Sequence, residues 1–183
     1  MKAIVLIGMS GVGKSVKGKK LAKKLDFDFI DTDELIIKRN KMSIEDIFIK
    51  FGEEYFRQEE KEVFKEIIAK KNCVISTGGG IILDKDNITL MRSEAVVFFL
   101  NDTLENICKN LRNSSVKRPL LNTKDDLYSQ VSKMFISREK LYLNACHFKI
   151  DLTDKNDETI FNEIIDNYKT FNLLDIWLTD IIF

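Results

Sequence analysis

Residues 8–15 read GMSGVGKS, directly after the apolar run Ala3-Ile4-Val5-Leu6-Ile7. The stretch fits G-x-x-x-x-G-K-[ST], set between a run with strand character and one with helical period, which is the context this motif needs. Gly8, Gly11 and Gly13 let the backbone curl so that successive N–H groups point inward at phosphate oxygens. Gly11, Val12 and Gly13 would offer those groups, Lys14 would reach the outer phosphates, and the Ser15 hydroxyl is of the type that ligates Mg²⁺. A helix from Lys14 to about Leu25 adds the positive end of its dipole. The alternative, a glycine-rich turn that binds nothing, is opposed by the motif's position and completeness. The stretch predicts a nucleoside triphosphate site.

Outward from this loop, short apolar runs alternate with longer segments of helical period. Strands are predicted at residues 2–7, 28–31, 73–76, 95–100 and 147–152. Helices are predicted near 14–25, 33–39, 44–51, 53–70, 103–111, 124–143 and 157–169. The strand runs are rich in Val, Ile and Phe and do not alternate, as expected of strands buried on both faces. The pattern predicts an α/β fold with a five-stranded parallel sheet between helices, and its ligands beyond the carboxyl ends of the strands. Two segments break the rhythm: 33–70, interrupted by Gly52, a candidate substrate-binding insertion, and 112–123, RNSSVKRPLLNT, a candidate lid holding the only proline.

The bulk properties narrow the partners. The 183 residues are expected to form one domain, and 44% hydrophobic content is that of an ordinary globular chain. Twenty-nine basic and 29 acidic residues cancel, so nothing in the charge favours a nucleic-acid partner. A strand begins at once with no signal-peptide pattern, and Cys73, Cys108 and Cys146 are odd in number and far apart. They read as reduced thiols of a cytoplasmic protein, with no membrane partner. The single histidine, His147, is expected to be structural.

Chemistry is expected after each strand. Asp31-Thr32-Asp33 follows the second, and residues two apart in an extended chain point the same way, so both carboxylates can face one site. Asp31 is the better metal candidate; Asp33 is placed either to accept a proton from an attacking hydroxyl or to cap the next helix. Thr77-Gly78-Gly79-Gly80 follows the third, suiting close approach of backbone to a ligand, with a plain flexible turn as the alternative. Arg57 in GEEYFRQEE, Arg118 in KRPLL and Arg138 in SREKLY carry forks that suit carboxylate or phosphate. Arg57 and Arg138 also read as solvated helix residues; Arg118, beside the proline, is placed to act over the γ-phosphate.

Taken in order, GMSGVGKS, DTD, GEEYFR, TGGG, RPLL and SREKLY resemble shikimate kinase, over residues 2 to about 169. The resemblance implies ATP-dependent phosphorylation of the 3-hydroxyl of shikimate, towards chorismate and the aromatic amino acids. It implies a nucleoside-monophosphate-kinase type of fold with strand order 2-3-1-4-5. It assigns Asp33, Arg57, Gly79, Gly80 and Arg138 to the substrate, with the two arginines on its carboxylate. Lys14, Ser15 and Asp31 become the phosphate and Mg²⁺ set, with one ion carried with ATP. Arg118 reaches the phosphates, and Lys14, Asp33 and Arg118 form the catalytic set. Arg112 is the candidate for an adenine-contacting arginine, in a segment that is a residue shorter than usual.

The tail 171–183, within TFNLLDIWLTDIIF, outlasts the resemblance. It either continues the last helix and packs on the domain or forms an interchain contact; a monomer is the default. Gluconate kinase is the closest rival, although the glycine turn and paired arginines favour a carboxylate-bearing acceptor in a tight pocket. A nucleotide-monophosphate kinase lacks its D-G segment here. A GTPase switch lacks D-x-x-G, and Thr123-Lys124-Asp125-Asp126 has no strand leading into it. A regulatory ATP-binding module without catalysis also stays open.

Overall fold

The computed structural model describes residues 1–114, 120–121 and 126–182, with side chains in the last helix as far as residue 174. Its frame is a five-stranded sheet ordered β2-β3-β1-β4-β5, every pairing parallel. The strands are β1 (Ala3–Ile7), β2 (Asp28–Asp31), β3 (Cys73–Ser76), β4 (Ala95–Asn101) and β5 (Phe148–Asp151). The helices are α1 (Lys14–Leu25), α2 (Thr32–Asn40), α3 (Ile44–Ile67), α4 (Lys85–Glu94), α5 (Leu104–Arg112), α6 (Leu127–Ala145) and α7 (Asp157–Ile182).

The strand reading separates centre from edge. β1 and β3 are buried throughout, and β4 is buried except at Asn101, because each has a neighbour on both sides and helices on both faces. The edge strands β2 and β5 are only partly buried, so the expectation of burial on both faces fails for them. One helix was not anticipated. α4, KDNITLMRSE, buries only Met91 among its apolar residues together with Asn87, too thin a stripe to register as helical period. Its start is fixed by Asp84, whose Oδ1 accepts from the N–H groups of Asp86 at 2.7 Å and Asn87 at 3.4 Å.

Two expectations concern joins. The helical stretches expected at 44–51 and 53–70 are indeed two helices, run together as α3 and divided by the non-helical backbone of Gly52 at φ 84°, ψ 174°. α7 does continue into the tail: Phe171 packs edge-on against His147, ring centres 4.8 Å apart, while Leu173 and Leu174 are exposed. His147 lies just before β5, its Nδ1 accepting from the Val97 N–H at 3.0 Å. Burial, with the nearby charges of Arg92 and Lys2, pushes its pKa down to about 4, so it stays neutral. All three cysteines are free thiols. Among the described residues, no helix is long and apolar enough to cross a membrane.

Candidate active site

The phosphate loop closes the carboxyl end of β1. Gly11 and Gly13 sit at φ 88° and 92°, a left-handed backbone that suits glycine, and Gly13 leads directly into α1. Lys14 is buried, with Nζ donating to the carbonyls of Gly8 and Met9 at 2.9 Å each. α5 packs on this loop from above: Asn110 Nδ2 donates to the Gly11 carbonyl at 2.9 Å, and a Cβ on Gly11 would stand 2.7 Å from Leu111 Cγ. Arg112, at the exposed end of α5, therefore lies next to the loop.

Beside the loop, Ser15 Oγ donates to Asp31 Oδ2 at 2.6 Å and lies 3.3 Å from Ser76 Oγ. Asp31 does two jobs, since its Oδ1 also accepts from the N–H groups of Asp33 at 3.0 Å and Glu34 at 3.3 Å. Asp31 is thus the N-cap of α2, and the capping role considered for Asp33 falls to its neighbour. The oxygens of Ser15, Asp31 and Ser76 make a hard, oxygen-only donor set of the sort Mg²⁺ prefers.

Next to these groups opens a cavity of about 440 Å³. Met9 and Ser10 of the loop form one wall; Asp33, Arg57, Glu60, Gly78, Gly79, Gly80 and Arg138 supply its polar lining. Phe48, Phe56, Val131 and Met134 supply apolar surface. Residues from α2, α3, the β3 turn and α6, far apart in sequence, thus converge on one space. A side chain at these glycines would push aside the charged groups that line the cavity. A Cβ on Gly80 would stand 2.6 Å from Arg57 Cζ, and one on Gly78 would stand 2.6 Å from Glu60 Oε1.

The two arginines are held differently. Arg57 donates from Nη1 to Glu60 at 2.6 Å and from Nε and Nη2 to Glu53 at 3.2 and 3.1 Å. Glu60 is 1% exposed, and its Oε1 has no hydrogen-bond partner among the described residues. Burial pushes its pKa up to about 7, outweighing the attraction of Arg57. The attraction is still felt on the other side of the pair, where it raises the Arg57 pKa against burial. Arg138, by contrast, has no carboxylate in ion-pair range among the described residues, and its Nη1 donates to the Gly79 carbonyl at 3.4 Å. That carbonyl also accepts from the Tyr142 hydroxyl at 2.6 Å.

The sequence-predicted residues Lys14, Ser15 and Asp31 meet at the phosphate loop; Asp33, Arg57, Gly79, Gly80 and Arg138 meet in the cavity beside it. Arg118 and most of the 112–123 lid lie outside the described residues. Reading the sequence missed Glu53, Glu60, Ser76 and Tyr142. Three of these had a signal: Glu53 and Glu60 are four before and three after Arg57, and Tyr142 is four after Arg138, each one helical turn away.

Comparison with known proteins bears on the same features. The family model described as shikimate kinase matches residues 10–169. A shikimate kinase of Caldicellulosiruptor saccharolyticus is 41% identical over 165 residues, 90% of this chain and 94% of that one. Among solved structures, shikimate kinase from Acinetobacter baumannii in complex with shikimate superposes with a TM-score of 0.88 at 27% identity, over 94% of this chain and 96% of that one. Shikimate kinase from Aquifex aeolicus superposes with a TM-score of 0.79 at 33% identity, over 93% and 98%. With residues 10–15 of its phosphate loop, its glycine turn and both cavity arginines inside the matched span, the chain belongs to the shikimate kinase family.

Proposed function

We propose that this chain transfers the γ-phosphoryl group of ATP to the 3-hydroxyl of shikimate, giving shikimate 3-phosphate and ADP on the route to aromatic amino acids. Membership of the family supports the activity. One observation carries the assignment of the site: Asp33, Arg57, Arg138 and the glycine turn line one cavity whose further wall is the phosphate loop.

Phosphoryl transfer asks a protein for placement and charge neutralisation more than for covalent chemistry. Arg57 and Arg138 take the shikimate carboxylate, and Gly79 and Gly80 let the ring lie against bare backbone. Asp33 takes the proton of the 3-hydroxyl as that oxygen bonds to the γ-phosphorus. The bond from phosphorus to the bridging oxygen breaks, and its electron pair leaves with ADP. Lys14 exchanges its bonds to the Gly8 and Met9 carbonyls for phosphate oxygens, with the N–H groups of Gly11, Val12 and Gly13 around it. Arg112 lies beside the adenine, and Arg118 comes over the phosphates with the 112–123 lid. Ser15 and Asp31 would hold one Mg²⁺ with ATP, and the ion when bound would neutralise phosphate charge. The 33–70 segment serves as the substrate-binding insertion of a single domain, working as a monomer in the cytoplasm.

The test is ADP release with Mg-ATP in the presence of shikimate, gluconate, a nucleoside monophosphate or no acceptor. Release that depends on shikimate supports the proposal; release with another acceptor, or with none, overturns it. Asp33→Asn should then lower kcat about 10²–10⁴-fold while the KM for ATP stays within a factor of two.

A further inference from the structure

Tyr142 is a buried polar group that phosphoryl transfer does not call on. It lies on α6, one turn beyond Arg138, and is 0% exposed. Its ring stacks on Phe99 of β4, with centres 4.9 Å apart and planes 14° from parallel. Its hydroxyl has one proton and two acceptors nearby, the Gly79 carbonyl at 2.6 Å and Met9 Sδ at 3.8 Å, while its oxygen faces the Arg138 guanidinium as a weak acceptor. A thioether is a weak acceptor, so the short bond to Gly79 takes the proton and Met9 is a packing neighbour.

The consequence lies in what Gly79 would otherwise bind. Its carbonyl receives two donors, a short bond from Tyr142 and a long one, 3.4 Å, from Arg138 Nη1. Gly79 lines the cavity, Arg138 lines it, and Tyr142 stands behind the wall. A partly buried carbonyl with only one donor in reach draws that donor in, because leaving the acceptor unsatisfied costs about 1–3 kcal/mol. Without the tyrosine hydroxyl, that donor is the Arg138 guanidinium. Arg138 would close on the backbone, and an incoming carboxylate would have to break that bond first. The aromatic ring, meanwhile, is fixed by Phe99 whether or not it carries a hydroxyl.

We propose that Tyr142 is a positioning residue for the acceptor: by saturating the Gly79 carbonyl, its hydroxyl keeps the Arg138 guanidinium loosely held and open to the carboxylate of the substrate. The inference rests on the reading of the cavity as the shikimate site. It assigns to Tyr142 a role in acceptor affinity and none in ATP binding or in the chemical step. The residue never touches the substrate.

Tyr142→Phe tests this, because it removes the hydroxyl and keeps the ring. Phe99→Leu is its control, because it loosens the ring's packing and keeps the hydroxyl. Both are compared with the unaltered enzyme by steady-state kinetics in each substrate, by calorimetric titration of shikimate without ATP, and by thermal unfolding. Tyr142→Phe should raise the shikimate KM and Kd about tenfold, the loss of one hydrogen bond to a charged or buried polar group. Its ATP KM and kcat should stay within a factor of two. Phe99→Leu should lower Tm and leave the shikimate constants within a factor of two. An unchanged shikimate Kd in Tyr142→Phe overturns the inference. So do shikimate and ATP constants that rise together, or an equal shikimate shift in Phe99→Leu, since either is the mark of general loosening. If the unaltered enzyme neither binds nor phosphorylates shikimate, the reading of the cavity itself has failed, which the kinetic comparison of variants cannot mimic.

Discussion

Two corners of one cavity hold an arginine each, and they are built on opposite principles. At the Arg57 corner the guanidinium lies between Glu53 and Glu60, so the charge is matched by the protein before any ligand arrives. At the Arg138 corner the guanidinium makes a long bond to a neutral carbonyl and lies against the Tyr142 hydroxyl, and among the described residues no carboxylate is in ion-pair range. The first corner is part of the fold, since the Arg57–Glu60 pair joins two buried or half-buried groups one turn apart on α3. The second carries a charge that no carboxylate among the described residues matches. Sequence gives both arginines the same role; their surroundings divide it.

The division can be broken by substitution. Arg57→Ala should have the largest effect, because it removes a carboxylate contact and also leaves Glu60 buried beside Asp33 without its partner. Breaking a buried pair by removing one member costs about 3–5 kcal/mol, less whatever Glu60 recovers by taking up a proton. A fall in Tm together with a raised shikimate KM is the expected outcome, checked by thermal unfolding and steady-state kinetics. Arg138→Ala should come next, losing about 1.5–3 kcal/mol of shikimate binding with Tm unchanged. Equal Tm values for the two variants would erase the distinction.

A smaller effect sharpens the account of Glu60. Its carboxyl holds a proton more tightly in the folded chain, at a pKa of about 7, than at the ordinary value of 4.5. Its contribution to stability is therefore whole below about pH 4.5 and is lost as the pH rises through 7. Relative to Glu60→Gln, which cannot ionise, the unaltered protein should lose about 5–10 °C in Tm between those limits. Parallel curves would show that Arg57 keeps the carboxylate fully ionised. The smallest effect is expected at the tail. Phe171 packs on His147 and Phe148, so truncation at residue 170 should lower Tm by a few degrees, on the order of 1 kcal/mol. Intact stability and solubility would refute packing of the tail on the domain.

What was legible in the sequence follows the same line. The phosphate loop could be read because its function is backbone geometry, and Gly8, Gly11, Gly13, Lys14 and Ser15 spell that geometry in eight consecutive residues. The sheet order came from the resemblance, whereas the five strands came from apolar runs that burial in a parallel sheet enforces. Helix α4 was missed because Met91 is its one fully buried apolar residue, with Ile88 and Leu90 only partly buried against the core, a weak stripe in a polar segment. In the cavity, charged residues could be named but their state could not. Nothing in GEEYFRQEE says that Glu60 is buried while Glu59 is not, since that depends on where α3 turns after the Gly52 joint. Tyr142 gives no sign in the sequence that its hydroxyl meets Gly79, 63 positions earlier.

The central claim is that this cavity recognises a carboxylate, and the most direct measurement is kcat/KM for shikimate beside that for its methyl ester. The ester keeps the ring and the 3-hydroxyl and removes the charge that Arg57 and Arg138 would grip. A drop of about 10²-fold or more for the ester, carried mainly by KM, is the predicted result. Comparable values for acid and ester would contradict it.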